Sequence, residues 1–157
     1  MPYGYDERQY GSPGINLAIG CLSRSSYGSF PEYHTSADDL SFITAEALQD
    51  TLEKLERVMF IVDQNARHLN LKPMAEPMLG KYGLYSKTGG AKSDGFDELA
   101  LLWVLGYSDG SNDLLAISET SGIDFGVIFH AAHRLIEVGL LSELAECGNV
   151  FPTHARL

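Results

Sequence analysis

The sequence predicts an α/β protein in two parts: a strand, a loop and a long helix, followed by a small, mostly α-helical module. Two observations predict the first part, namely a short apolar run and a later series of hydrophobic residues at spacings of four and three. Three helical runs separated by turn residues predict the second part. The chain has 157 residues, 45% of them hydrophobic, which is enough to build a core.

The apolar run covers residues 14–21 and follows a Ser-Pro-Gly turn. Short apolar runs bounded by turn residues are typical of buried strands. Residues 22–31 are rich in Ser and Gly, which favours a loop. This loop leads into the tetrapeptide Glu-Tyr-His-Thr at residues 32–35.

The long helix is predicted from Thr44, a suitable N-cap, with Glu46 placed favourably for the helix dipole. It should end before Lys72 and Pro73. Its apolar stripe predicts a packing face against a sheet rather than a cofactor site. The stripe consists of Leu48, Leu52, Leu55, Met59, Val62, Ala66 and Leu69.

A Gly- and Lys-rich connector at residues 76–93 indicates a domain boundary. We therefore predict a first domain over residues 1–75 and a second over residues 94–157. Gly89 and Gly90 with Lys92 could form a phosphate-binding loop, but the P-loop spacing is absent and a linker turn is favoured.

The second domain begins with an almost continuous apolar run at residues 99–105, which indicates a helix buried on most sides. Asp113 can cap a second helix and Asp124 a third, with a Ser-Gly turn between them, and Gly139 ends the third. The inner face of the third helix should be Phe125, Ile128, Ala131, Ala132, Leu135 and Ile136. Helices in this order, followed by a short β tail, are typical of a winged helix-turn-helix.

The net charge of −10 is unevenly distributed. Residues 1–93 contain nine Lys or Arg against eleven Asp or Glu, whereas residues 94–157 contain two against ten. A nucleic-acid partner requires cations that replace counterions at phosphates. The acidic second domain therefore argues against a nucleic-acid partner.

Cys21 and Cys147 lie far apart and belong to no CxxC pair, so we expect both to be buried free thiols. The sequence has no apolar run of membrane-spanning length, and its N-terminus lacks the pattern of a signal peptide. We therefore expect a soluble, cytoplasmic protein without a membrane partner.

Six blocks in order along the chain resemble bacterial aminopeptidase-like domain proteins, a branch of the co-catalytic zinc exopeptidases. One block contains Tyr33, His34 and Thr35, followed by Asp38 and Asp39, and it lies after the predicted strand and before the long helix. The tripeptide alone would be weak support, but ordered blocks over nearly the whole chain are specific. The blocks are residues 6–10, 12–14, 30–38, 76–77 with 79–80, 83–85, and 103–105 with 108–110.

The resemblance implies a site with two zinc ions that activate a water molecule for hydrolysis of a peptide or amide bond. His34 matches the last metal ligand in chain order, and neutral imidazole is a suitable zinc ligand. Tyr33 matches the tyrosine whose hydroxyl stabilises the oxyanion of the tetrahedral intermediate. Asp6 and Arg24 match positions where related exopeptidases place groups that contact substrate.

A two-zinc site needs about five protein ligands, and the earlier ones of the family have no counterpart in this chain. We therefore expect the C-terminal portion of a zinc-dependent aminopeptidase-like hydrolase, with little or no activity alone. Its expected partner is the missing N-terminal catalytic segment or a second copy of the chain. One alternative is a non-catalytic interaction module with an acidic winged helix. A DNA-binding regulator is the weakest hypothesis.

The remaining histidines have simpler interpretations. His130 and His133 are three residues apart on the third helix, a spacing that can bind metal, but no carboxylate or Cys completes a site. We interpret them as surface or helix-packing residues. His68 and His154 belong to no constellation, and we expect both to be solvated.

Overall fold

The computed structural model describes residues 4–17, 19–84 and 98–144, in two compact units that divide between Glu56 and Arg57. The described helices are α1 (Asp6–Tyr10), α2 (Ala45–Gln64), α3 (Glu98–Tyr107), α4 (Leu114–Ser121) and α5 (Phe125–Glu137), with a 3-10 helix at Leu79–Tyr82. The described strands are β1 (Arg67–Asn70), β2 (Asp109–Asp113) and β3 (Leu141–Glu143).

The first unit contains α1, a series of turns and the first part of α2. The strand predicted over residues 14–21 is wrong, because residues 14–17 and 19–21 form turns and irregular structure. A strand requires a neighbour for its backbone N–H and C=O groups. All strands of the described residues belong to the second unit, so this segment has no described strand to pair with.

The helix α2 begins as predicted, since the Thr44 hydroxyl accepts a hydrogen bond from the Ala47 N–H at 3.1 Å. It ends at Gln64, earlier than the apolar periodicity indicated. Residues 67–70 form β1, the central strand of the sheet, with β2 on one side and β3 on the other. Hydrogen bonding on both edges outweighs the weak helical preference of this segment.

The second unit contains a three-stranded antiparallel sheet in the order β2-β1-β3. Arg67 pairs with Asp113 in β2, and Asn70 pairs with Leu141 in β3. The sequence did not indicate β2, because its residues Asp-Gly-Ser-Asn-Asp are all depleted in strands or neutral. Pairing with β1 determines their conformation.

Both predicted helix caps of the second unit are confirmed. The Asp113 carboxylate accepts a hydrogen bond from the Ala116 N–H, and the Asp124 carboxylate accepts one from the Gly126 N–H, each at 2.8 Å. Gly122 ends α4 with φ of 71°, a left-handed conformation that glycine adopts without steric cost. The chain therefore turns between α4 and α5 as predicted.

The hydrophobic core of the described residues lies entirely in the second unit, between the 3-10 helix, α3, α4, α5 and the sheet. The predicted inner face of α5 is confirmed, with Ile136 half-buried and the other five members buried. The helix α3 is buried on one face only, because Leu99 and Leu102 are exposed. The buried hydrophobic residues are Leu79, Leu84, Ala100, Leu101, Val104, Leu105, Leu114, Ile117, Phe125, Ile128, Ala131, Ala132, Leu135, Leu140 and Leu141.

The predicted domain limits of 1–75, 76–93 and 94–157 remain a prediction, because residues 85–97 lie outside the described ranges. Within those ranges, β1 at residues 67–70 already belongs to the sheet of the second unit. The suggested glycine loop at residues 89–92, together with Cys147 and His154, also lies outside the described residues.

The surface of the first unit includes a cysteine that was expected to be buried. Cys21 is a free thiol, as predicted, but it is exposed rather than buried, because the segment around it belongs to no core.

Within residues 4–17, 19–84 and 98–144, no helix combines the length and apolarity that crossing a bilayer requires.

Candidate functional site

Tyr33 and His34 lie in a closed turn of the first unit. The turn is held by Thr35, whose N–H and hydroxyl both donate to the carbonyl oxygen of Glu32, at 3.0 and 2.7 Å. The ring centroids of Tyr33 and His34 are 4.2 Å apart, in an edge arrangement. Tyr33 and His34, which the resemblance marks as a catalytic residue and a metal ligand, therefore lie side by side.

His34 has an unusual backbone conformation for a residue other than glycine, with φ of 60°. Left-handed residues of this kind are uncommon, although His adopts the region more often than most side chains. The conformation costs free energy and is found where the surrounding structure requires it, often at functional sites. His34 is exposed to solvent.

Aromatic side chains support this turn from two sides. The Tyr33 ring contacts Phe30 at 5.6 Å and Tyr27 at 6.4 Å, measured between centroids. Phe30 in turn stacks on Phe42, at 5.6 Å. Ring contacts of this kind favour one orientation of the Tyr33 ring.

The side chain of Arg24 connects the Ser-rich loop to α2. Its Nη1 forms an ion pair with Asp50 and donates to the Ala47 carbonyl at 3.0 Å and the Thr51 hydroxyl at 3.2 Å. Lys54 also pairs with Asp50, and hydrogen bonds from Lys54 and Arg24 hold the pKa of the Asp50 carboxyl below its usual range. The anionic Asp50 thus anchors the loop that precedes Tyr33.

Asp6 is the first residue of α1 and is exposed. A groove of about 1100 Å³ in the same unit is lined by α1, by the turn around Pro13 and by residues 19–27. Tyr27 lines this groove, and its ring contacts both Tyr5 and Tyr33. Of the four predicted site residues, the structure brings Tyr33 and His34 into contact, whereas Asp6 and Arg24 belong to separate elements.

No three His, Cys, Asp or Glu side chains come together as a possible metal site within the described part of the chain. His34 could therefore hold a metal ion only together with ligands from elsewhere, since structural and catalytic zinc sites use three or four protein ligands.

Comparison with known proteins identifies the second unit. A family model for the winged helix-turn-helix matches residues 66–143, the range that contains the sheet and α3 to α5. These residues form a winged helix-turn-helix domain. A second family model, for a domain of unknown function (DUF4910), matches residues 1–65, which include Tyr33 and His34.

The chain is 48% identical, over 141 residues, to a Clostridium acetobutylicum protein provisionally named a polysaccharide biosynthesis protein with aminopeptidase-like domain. This alignment covers 90% of the chain and 32% of the relative. The crystal structure of a provisionally named peptidase from Clostridium acetobutylicum has a TM-score of 0.78 and 44% identity, over 92% of this chain and 31% of that one. The chain thus spans about a third of the length of the relatives it matches.

One buried polar residue of the winged-helix domain was missed by sequence reasoning. His68 was expected to be solvated, which is wrong, because it lies in β1 and is 3% exposed. Burial lowers the pKa of its imidazole, although Glu143, opposite in β3, acts in the other direction. Its Nδ1 has no hydrogen-bond partner among the described residues. Sequence reasoning could have found this burial only by assigning residues 67–70 to a strand, in which His68 faces the core.

The helix α5, which would read DNA bases in a DNA-binding winged helix, presents few cationic groups. The exposed histidines His130 and His133 both contact the ring of Phe129, as expected for surface or packing residues. The Arg134 guanidinium bonds to Glu137 on the same helix, at 2.9 Å. The exposed face of α5 therefore has few positive charges with which to bind phosphate groups.

Proposed function

We propose that this chain is the C-terminal portion of a zinc-dependent aminopeptidase-like hydrolase that cleaves a peptide or amide bond in a peptide or small-molecule substrate. The observation that carries this proposal is the turn that presents the exposed imidazole of His34 beside Tyr33. Similarity to a relative with an aminopeptidase-like domain supports it, because the aligned region covers nine-tenths of the chain.

In the proposed site, the imidazole of His34 would be one of the zinc ligands, and zinc, when bound, would supply an activated water molecule. The phenol of Tyr33 donates a hydrogen bond to the oxyanion that develops on the attacked carbonyl, with its ring held by Tyr27 and Phe30. The remaining ligands would come from the two-thirds of the relatives that this chain does not span. Alone, the chain would then be inactive.

Asp6 and Arg24 are proposed as substrate contacts. The exposed carboxylate of Asp6 suits a substrate cation. The contacts that Arg24 makes with α2 all use Nη1, so its other donors can face a substrate carboxylate while the loop stays anchored. Replacement of Arg24 should therefore impair both the loop and the substrate contact.

Metal analysis of two proteins tests this proposal. The 157-residue chain should purify with far less than one zinc per molecule and should not cleave aminoacyl-p-nitroanilides, because a single imidazole holds zinc weakly. A fusion of the chain to the other two-thirds of the Clostridium relative should bind about two zinc ions. His34→Ala should remove at least one zinc ion from the fusion, whereas His130→Ala, at an exposed histidine of the winged-helix domain, should remove none.

Two results would contradict the proposal. Stoichiometric zinc in the 157-residue chain would show that a complete site exists without the additional ligands. Unchanged zinc content in the His34→Ala fusion would remove His34 from the ligand set, and with it the proposed role of the turn.

A non-catalytic interaction module is the second candidate function, favoured by the strongly acidic residues 94–157. The Arg134 guanidinium is paired with Glu137, and that of Arg57 with Asp124 at the start of α5. We expect no binding of duplex DNA above background at physiological salt, because phosphate contacts require available cations. An anisotropy titration that gave sub-micromolar affinity for any duplex would reverse this expectation and favour a DNA-binding regulator.

A further inference from the structure

A cavity of about 580 Å³ in the winged-helix domain has no part in the proposed zinc site. Three segments form its walls: the end of β1, the loop at residues 73–77, and the junction between α3 and β2. The volume lies within the usual range for small-molecule pockets, which are mostly apolar with a few well-placed polar groups. The composition of the walls indicates which ligand would fit.

Hydrogen bonds from one side chain hold these walls together. Asn70 Nδ2 donates to the Leu105 carbonyl at 2.9 Å, and Asn70 Oδ1 accepts from the Lys72 N–H at 2.8 Å. The Asn70 N–H also donates to the Ser108 carbonyl at 2.7 Å. Ala75 in the loop wall has φ of 66°, a costly conformation for alanine. The cavity is therefore built into the domain rather than left between loose segments.

The apolar part of the cavity remains open to water. Leu69 is 41% exposed and Leu102 is 39% exposed, and both line the cavity together with Leu105. A ligand with an aliphatic body would remove this surface from water, which is favourable in proportion to the apolar area covered.

The polar part of the cavity favours a cation. Two carboxylates, of Glu76 and Asp109, line it, and its described lining contains no Lys, Arg or His. Hydrogen bonds from Ser111 keep the pKa of the Asp109 carboxyl below its usual range, so this group is anionic at neutral pH.

We propose that this cavity binds a small aliphatic amine. The apolar body would lie against Leu69, Leu102 and Leu105, and the ammonium group would lie near the carboxylates of Glu76 and Asp109. An anion of the same shape would be repelled by the carboxylates, and a neutral alcohol would gain only the apolar contact. This site is independent of the proposed hydrolase function.

Binding is tested with 3-methylbutylamine, followed by the backbone amide signals of the whole chain in NMR titrations. The amine should shift the signals of the lining residues with saturation, 3-methylbutan-1-ol should bind several-fold more weakly, and 4-methylpentanoate should not bind. Glu76→Gln and Asp109→Asn should each weaken amine binding about two- to fivefold, as is usual for exposed charge pairs. Glu119→Gln, an exposed acid of α4 outside the cavity, should leave the affinity unchanged.

Gly106 offers a variant that blocks the cavity without disturbing the fold. It lines the cavity near the end of α3, and a Cβ built there meets no atom within 4 Å. Gly106→Leu should therefore fill part of the cavity, improve the helix and lower amine affinity at least tenfold. Equal binding of amine and alcohol would overturn the choice of ligand, and unchanged amine binding in Gly106→Leu would overturn the site.

Discussion

The helices α2 and α5 carry the same kind of apolar stripe, yet the structure buries only one of them. In α5, Ile128 and Leu135 are fully buried in the core of the winged-helix domain. In α2, no residue is buried, and Leu52 remains 56% exposed. Periodicity thus indicates which face of a helix is apolar, and the presence of a packing partner decides whether that face stabilises the protein.

The two units differ in the same way, since only one of them buries hydrophobic residues among those the structure describes. The second unit contains every buried hydrophobic residue of the described chain, whereas the first unit relies on turns, ring contacts and the ion pairs of Asp50. Large exposed apolar patches usually indicate an interaction surface. Under the proposed function, the further chain that the longer relatives contain would cover the apolar face of α2.

The largest expected effect is a difference in stability between two variants, each with one apolar side chain truncated, in α5 and in α2. Ile128→Ala should lower the free energy of unfolding of the winged-helix domain by about 2–5 kcal/mol, because it leaves a cavity in a closed core. Leu52→Ala should change stability by about 0.5 kcal/mol or less, because the side chain is already in water. Urea unfolding followed by fluorescence of Trp103, the single tryptophan, and by circular dichroism measures both. Similar losses would show that the α2 face is covered.

A second test concerns the exposed face itself. The 157-residue chain should self-associate or bind a hydrophobic dye, because Leu48 and Leu52 are 62% and 56% exposed on one side of α2. Replacing both with Glu should reduce dye fluorescence several-fold and favour the monomer in light scattering. Met78→Glu, at a residue 65% exposed in the second unit, should have little effect. A monomer that binds no dye would instead indicate that the first unit folds autonomously.

The smallest expected effect is a pH dependence confined to the winged-helix domain. Burial lowers the pKa of His68 in the folded state, Glu143 on β3 acts to raise it, and His133 on α5 acts to lower it. The unfolded state therefore binds more protons, so stability is complete above about pH 6.5 and falls as the pH decreases towards the folded-state pKa.

The measurement for this pH effect is the urea midpoint, followed by Trp103 fluorescence between pH 8 and pH 5. His68→Gln should show a smaller loss of stability over this range, while His130→Gln, at an exposed histidine, should keep the slope of the original chain. An unchanged slope in His68→Gln would show that another group accounts for the pH dependence.

Local chemistry explains the predictions that succeeded. The caps at Thr44, Asp113 and Asp124 depend on a side-chain oxygen two or three residues before the N–H it binds, so sequence spacing is sufficient. The juxtaposition of Tyr33 and His34 follows from their adjacency in the chain, and their proposed chemistry rests on resemblance rather than on spacing. The metal ligand set cannot be assigned from this chain, because ligands meet in space rather than in sequence.

The sequence by itself determined where α2, α4 and α5 begin, the inner face of α5, the charge of residues 94–157 and the order of the helices α3 to α5, because each depends on residues within a few positions of one another. Tertiary structure alone decided that residues 67–70 form a strand, that His68 is buried, and that residues 14–21 do not form a strand. The physical reason is that a strand acquires its hydrogen bonds from distant segments, so the same local pattern gives a strand only where partners such as β2 and β3 are available.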